Sequence, residues 1–313
     1  MFLYAVRRVL SALPVMGIVA VFVFLLIRLA PGDPAAIIAG DYASPEALAA
    51  IRASLGLDQP LPVQFAVYLQ HLVQGDLGVS LHSKLPVSQL IQQRLEPTVS
   101  LALTTLCFAV LLAVPLGTIA AWKRGTMIDR AVMVLAVGGF SIPIFWLGFL
   151  LIWVFALRLD LLPVQGFVSI GEGVAPFLRH IALPTVALGM VYMALLARIT
   201  RACLVDILAS DYVRTAMAKG VGDRRMLLVH ALKNAAVPIV TTIGTGFALL
   251  IGGVALTESV FALPGLGRLT VDAVLQRDYA IIQGVTLLSA FAYVLVNLAV
   301  DLSYALFDPR IRF

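Results

Sequence analysis

The residues that could do chemistry are few in this chain, and they are scattered. There are four histidines, His71, His82, His180 and His230, none in a His-Glu-x-x-His pattern and none with an evident carboxylate partner in sequence. The two cysteines, Cys107 and Cys203, sit in or beside apolar segments without metal-ligand spacing, so they read as two small buried hydrophobes. A Gly-x-x-x-x-Gly-Lys-Ser/Thr phosphate loop is missing, and Gly265-Leu266-Gly267 after Pro264 reads as a turn. The apolar stretches hold almost no ionisable residues at mid-depth. Glu258 and Asp301 are the candidates, both near stretch ends. An intramembrane charge costs at least about 2.5–3.5 kcal/mol and usually marks an ion path, so this scarcity argues against ion coupling. The chain is therefore expected to be non-catalytic, to hold no metal or cofactor, and to draw its energy from another subunit.

The elements that position these residues are set by lipid. Of 313 residues 61% are hydrophobic and 12% charged, with mean hydropathy +1.01; soluble domains carry about 25% charged residues. Six stretches are long and apolar enough to span a bilayer, at about 9–29, 98–121, 131–157, 183–203, 236–260 and 281–306. The basic start, Met1 to Arg8, followed by a long apolar run without a small-x-small cleavage site, reads as a retained first helix. Arg198 and Arg201 at the end of the fourth stretch could snorkel to the interface. The net charge is +5 and the pI about 9.4. Lys and Arg gather at the ends of the runs, which is a membrane-topology pattern and not a nucleic-acid surface. They concentrate on the side holding both termini, which places the termini in the cytoplasm.

On that topology residues 31–96 form a periplasmic insertion. Ser44-Pro45-Glu46 starts a helix, Gly56 stops it, residues 62–73 have helical spacing, Gly75-Asp76-Leu77-Gly78 is a turn, and a third short helix spans 86–95. The insertion is either a folded cap or a docking surface for an external partner. Two spans are expected to bend, one at Gly138-Gly139 and Ser141-Ile142-Pro143, the other at Gly244, Gly246, Gly252 and Gly253. Packing accounts for such glycines; rocking about a central path is the functional alternative, with Pro143 and Glu258 as candidate pathway residues.

The only long cytoplasmic connection, 204–235, carries the strongest pattern. A helix running to Lys219 should stop at Gly220, Val221-Gly222 should turn, and Asp223 should cap a second short helix carrying Met226, Leu227 and Leu228. Two short helices meeting at a glycine make a stiff knob. It could seat in a partner's groove, or it could merely anchor basic residues at lipid headgroups.

This loop resembles the EAA loop of ABC-importer permeases, in the form found in dipeptide and oligopeptide permeases of the B type. The general pattern is Glu-Ala-Ala, three residues, Gly, nine residues, Ile, any residue, Leu-Pro. The chain keeps Ala216 and Gly220, has Arg214 and Thr215 in place of Glu and Ala, has Lys233 in place of Pro, and places its own proline later, at Pro238. Asp-Tyr-Val-Arg-Thr-Ala…Ala-Lys-Gly is similar to the peptide-permease variant. Further similar signatures are Pro31-Gly32-Asp33-Pro34, Gly75-Asp76-Leu77-Gly78-Val79-Ser80, Phe261 to Gly267 and Asp308-Pro309-Arg310-Ile311-Arg312, in the family's order.

The resemblance implies an all-α membrane protein with six transmembrane helices and the type I ABC importer permease fold. It would comprise a first helix at 1–30, the insertion at 31–96 and a five-helix core at 97–313. It implies a multi-pass subunit of the bacterial inner membrane that moves di- or oligopeptides. The implied partners are a second homologous permease, two ATPase subunits carrying ATP and Mg, a periplasmic or lipid-anchored solute-binding protein, and membrane lipid. Arg214, Ala216, Gly220, Gly222, Asp223, Arg224, Arg225, Met226, Leu227 and His230 would couple to the ATPases. Asp76, Ser80, Pro264 and Arg268 would meet the binding protein. Leu266-Gly267-Arg268, Asp272 and Arg277-Asp278-Tyr279 resemble both dipeptide and glutathione permeases, and nickel and opine importers share the architecture. An autonomous secondary transporter or channel is the alternative from another class; it would need mid-membrane charges, which are scarce here. A membrane-embedded enzyme is a third, and it lacks an acid, base or metal set.

Overall fold

The computed structural model describes residues 2–29, 35, 44–54 and 56–307, which are helical with short connections. Helix α1 is Phe2–Leu29, α2 Pro45–Ser54, α3 Leu61–Val73 and α4 Val87–Trp122. Next come α5, Met127–Ser141, and α6, Ile144–Arg158, whose last turns are π-helical. Helix α7 is Val174–Leu208, α8 Asp211–Ala218, and α9 Asp223–Asn234 with a π segment at Met226–Ala231. The remainder are α10, Ala236–Gly253, α11, Ala255–Val260, α12, Leu266–Gln276, and α13, Tyr279–Phe307. The signatures at 31–34 and 308–312 lie outside the described residues.

Among the described residues four helices are long and apolar enough to cross a membrane, or up to six if each of two bent pairs is one span. Both pairs bear on the expected bends. Between α5 and α6 the chain turns by 99°, because Pro143 cannot continue the helix and its predecessor Ile142 is held extended. A 57° bend falls between α9 and α10; of the glycines, Gly252 and Gly253 close α10, which ends there before α11 begins at Ala255. Helix α10 runs straight past Gly244 and Gly246, and these serve close packing. A methyl group on Gly244 would collide with Val300, and one on Gly246 would sit 3.0 Å from the Tyr192 ring. The short helix expected at 86–95 is instead the start of α4, which continues through Pro97 and Pro115 for 36 residues.

The residues form two compact units. One comprises 1–9, 95–268 and 292–313. Its core has a bulky layer, with Leu101, Phe177, Ile181, Leu250 and Phe261, and a small-residue layer, with Ala109, Ala113, Ala197, Ala231 and Ala235. Helix α7 runs through both, and 61% of its apolar window is buried. At 35 residues it is about 52 Å long at 1.5 Å per residue. Arg201 on α7 does not snorkel. Its Nε and Nη2 donate to Asp129 Oδ1 and Oδ2 at 2.5 and 2.7 Å, a two-pronged pair that ties α7 to the start of α5. Asp301 is paired as well, at 2.8 Å from Arg8. Cys107 faces outward on α4, a correction to its expected burial, and Cys203 is half-buried.

The other unit comprises 10–94 and 269–291. Phe24 of α1 packs on Phe65 and Tyr68 of α3 with ring centroids 5.1 and 5.6 Å apart. Gly284 of α13 lets Val87 and Ile91 of α4 approach.

Candidate functional site

The 204–235 connection folds as two short helices around a turn. Good helix formers carry α8 to Ala218. Gly220 then takes φ +83°, which a residue with a Cβ adopts only at a cost. Gly222, in an extended conformation, precedes α9, so Asp223 is the first helical residue and not the cap. Its carboxylate still sits at the positive end of the helix. Tyr212 and Asn234 close the base of the knob, the amide donating to the phenol oxygen at 2.7 Å.

The knob has an inside and an outside. Val213, Met226, Leu227, Ala231 and Ala235 are buried. Met226 and Leu227, expected to meet a partner, are instead turned into the chain's own interior, 1% and 5% exposed. The outward apolar residues are Met217, Leu228 and Val229, with Leu228 46% and Val229 53% exposed. Around them Arg214, Lys219, Arg224 and Arg225 are exposed, Ala216 and His230 are partly covered, and Gly220 and Gly222 lie open. Arg214 reaches Asp211 at 3.6 Å, a fully hydrated pair that holds little energy. The exposed surface of the segment thus carries apolar Met217, Leu228 and Val229 and four basic residues, with Asp211, Tyr212 and Asp223 also exposed. Sequence reading missed Leu228 versus Leu227 because the run 226–229 is apolar throughout, and the π turn shifts which of its residues face out.

The second set of expected residues splits between the two units. In the larger unit, Glu258 is fully buried. Thr98 Oγ1 donates to its Oε1 at 2.6 Å, and the Arg268 N–H donates to its Oε2 at 2.8 Å. Thr98 in turn accepts from the Leu266 N–H at 2.8 Å. The carboxylate thus caps α12 and pins the 261–267 loop, and it is used within that loop. A methyl group on Gly265 would strike the carboxylate, and one on Gly267 would come 2.6 Å from Ala255 Cα, so both glycines are required by contact. Pro264 is exposed and Arg268 partly so; Pro143 is exposed at the α5–α6 break.

In the smaller unit Ser80 is 1% exposed, and its hydroxyl donates to Asp278 Oδ2 at 2.6 Å, a carboxylate that also accepts from the Leu81 N–H. Ser80 therefore joins the 75–80 signature to the start of α13 and offers no side chain to a partner. Asp76 is exposed. Its carboxylate accepts from the Gly78 N–H at 2.9 Å and meets His71 Nδ1 at 2.9 Å, a pairing the linear pattern did not reveal. The Gly78 N–H and the His71 ring hold this carboxyl below its usual range. Among the described residues no group of three or more His, Cys, Asp or Glu is placed to hold a metal.

Residues 113–313 match the family of binding-protein-dependent transport system inner membrane components, and residues 1–102 match that family's N-terminal component. A probable peptide ABC transporter permease of Sinorhizobium fredii is 52% identical over 310 residues, 99% of each chain. A glutathione transport system permease of Salmonella typhi is 45% identical over 310 residues, again 99% of each. A putative peptide transport system permease of Brucella abortus is 44% identical over 307 residues, 98% of each. Among solved structures, a chain of the inward-facing methionine ABC transporter aligns with TM-score 0.58 at 18% identity, covering 70% of this chain and 97% of that one.

Proposed function

This chain belongs to the family of binding-protein-dependent transport system inner membrane components, and from that premise we propose that it conducts di- or oligopeptides across the inner membrane by coupling to ATPase subunits through the 211–234 knob. It is a non-catalytic permease subunit of an ABC importer of the peptide or glutathione type. The observation that carries the coupling proposal is the knob's surface. Exposed apolar Met217, Leu228 and Val229 beside four exposed basic residues, Arg214, Lys219, Arg224 and Arg225, against acidic Asp211 and Asp223, suit a groove with an apolar floor and acidic walls. The buried side of the same helices ties the knob to α7 and α10, so motion of the knob and of the spans goes together.

In this reading two permeases and two ATPases assemble, and a solute-binding protein delivers substrate on the far side. Asp76, Pro264 and Arg268 are the exposed or half-exposed candidates there. Peptide is preferred because the 52% relative bears a peptide name and the glutathione permeases stand at 45% over the same span. The test pairs binding with transport in cells carrying the native partner set. Leu228→Asp with Val229→Asp should leave a membrane-inserted chain that no longer co-purifies with the ATPase or takes up labelled dipeptide. Full uptake by this variant would remove the knob assignment. Uptake of glutathione with no competition from dipeptides would replace the substrate and leave the coupling intact.

A further inference from the structure

The smaller unit encloses a cavity of about 410 Å³ between the end of α1, helix α3 and the start of α13. That volume lies within the roughly 300–1,000 Å³ of small-ligand sites. Its polar lining is biased toward donors. Arg28 Nε donates to Gln64 Oε1 at 2.9 Å and Nη1 to the Phe24 carbonyl at 3.1 Å, with the guanidinium 3.6 Å over the Phe24 ring. Gln64 is itself held by the Gln59 and Leu57 carbonyls, so the guanidinium is fixed in place. A guanidinium has five N–H groups, and these bonds use two. None of the carboxylates among the described residues pairs with it. Asp76, on the cavity wall, is engaged by His71 and Gly78.

Two further groups in this lining lack partners. Tyr68 Oη and Gln283 Nε2 are both buried, and neither makes a hydrogen bond. The Gln283 side chain stands beside the phenol outside hydrogen-bond geometry; burial pushes the phenol's pKa up, against the pull of Gln283 and Arg28. Buried polar atoms are almost always paired. Two orphans beside a desolvated cation point to an acceptor that comes from outside the chain.

The cavity's level supplies the source. The apolar run of α1 continues to Ile27, immediately before Arg28, and the apolar window of α13 opens at Tyr279, next to Ala280 and Gln283 of the lining. The ends of membrane-spanning runs lie at the level of phospholipid headgroups. Gln59 and His71 also line the cavity, and its apolar wall includes Val63 and Val67 of α3, which are 45% and 47% exposed. We propose that this cavity binds the headgroup phosphate of an anionic phospholipid, with Arg28, Tyr68 and Gln283 on the phosphate oxygens and an acyl chain along Val63 and Val67.

The test uses the full chain extracted in polymer discs from native membrane, washed in detergent and read for bound phospholipid by native mass spectrometry. Wild type should retain one lipid. Arg28→Gln should hold it at least about tenfold more weakly, the loss expected for a charge-assisted hydrogen bond. Tyr68→Phe, which keeps the packing, and Val67→Trp, which fills the cavity from its apolar wall, should also lower retention with the thermal midpoint unchanged. Delipidated chain is then offered phosphatidylglycerol, inorganic phosphate or diacylglycerol, and phosphatidylglycerol alone should rebind. Equal retention by wild type and all three variants would overturn the site. Displacement of lipid by inorganic phosphate would overturn the lipid as its occupant, and rebinding of diacylglycerol would overturn the phosphate contact.

Discussion

Glu258 is a carboxylate held out of water by its own loop, and its two oxygens decide what can replace it. One accepts from Thr98 and the other from the Arg268 N–H. An amide presents an acceptor to only one of the two, so Glu258→Gln should destabilise the chain by about 1–3 kcal/mol, read as a lower thermal midpoint in detergent. An unchanged midpoint would mean that the loop stands without the charge. Gly265→Ala should be worse, since its methyl group would overlap the carboxylate. Asp76 gives a pH dependence of known sign. Its folded pKa is depressed by Gly78 and His71, so its contribution is fully present above the unfolded value of about 3.9 and fades as pH falls through the lower folded value. Exchange of the Gly78 amide with deuterium, corrected for intrinsic rates, should therefore lose protection only at strongly acidic pH. Asp76→Asn should remove that acid-side step. The glycines at 265 and 267 were legible as a turn, but their cause was not. It lies in Glu258 and Ala255, which no linear pattern links to them.

At the scale of elements, the turn at Gly220 is both the most legible feature and the most exacting. The sequence predicts a stop there, and the chain adopts φ +83°. Proline is fixed near −65°, so Gly220→Pro should misplace α9 and abolish uptake while the chain still inserts; transport at the wild-type rate would contradict this. Gly220→Ala should cost about 1 kcal/mol and only weaken coupling. The faces of α9 were not legible, because a π turn changes angular phase within an unbroken apolar run. For the same reason of missing local signal, the pattern predicts a short helix at 86–95 and a separate span at 98–121, where the chain forms the single helix α4 through Pro97. Its burial of Leu101 and Ala102 just beyond the proline favours a continuous helix. The Arg201–Asp129 fork links α5 to α7. Arg201→Met would leave a buried carboxylate unpaired, a change that typically costs about 3–5 kcal/mol, and should lower the thermal midpoint well below that of the Glu258→Gln variant.

For the whole molecule, composition alone made the lipid environment plain, and the count of spans followed from it. Which helix would be the most buried did not follow, since α7 carries Arg198 and Arg201 near its end. It is the most buried of the four single-helix candidate spans, because Arg201 is paired with Asp129 and the helix joins both clusters, the bulky one through Phe177 and Ile181 and the small-residue one through Ala197. Sidedness is tested by cysteine labelling with Cys107 and Cys203 replaced by Ser. A cysteine at Gln74 should react with an impermeant maleimide from the periplasm, and one at Lys219 only after permeabilisation. The reverse pattern would invert the proposed topology and separate the knob from any cytosolic ATPase.

The length of α7 has a mechanical consequence. It ends at Leu208, and the knob begins at Asp211, so the knob rides on the end of a rod about 52 Å long. A tilt of roughly ten degrees in such a rod moves one end by about 9 Å relative to the other. A lever of that reach converts a modest swing among the spans into a stroke several atoms wide at the knob, and a push on the knob into a small, forceful rotation of the bundle.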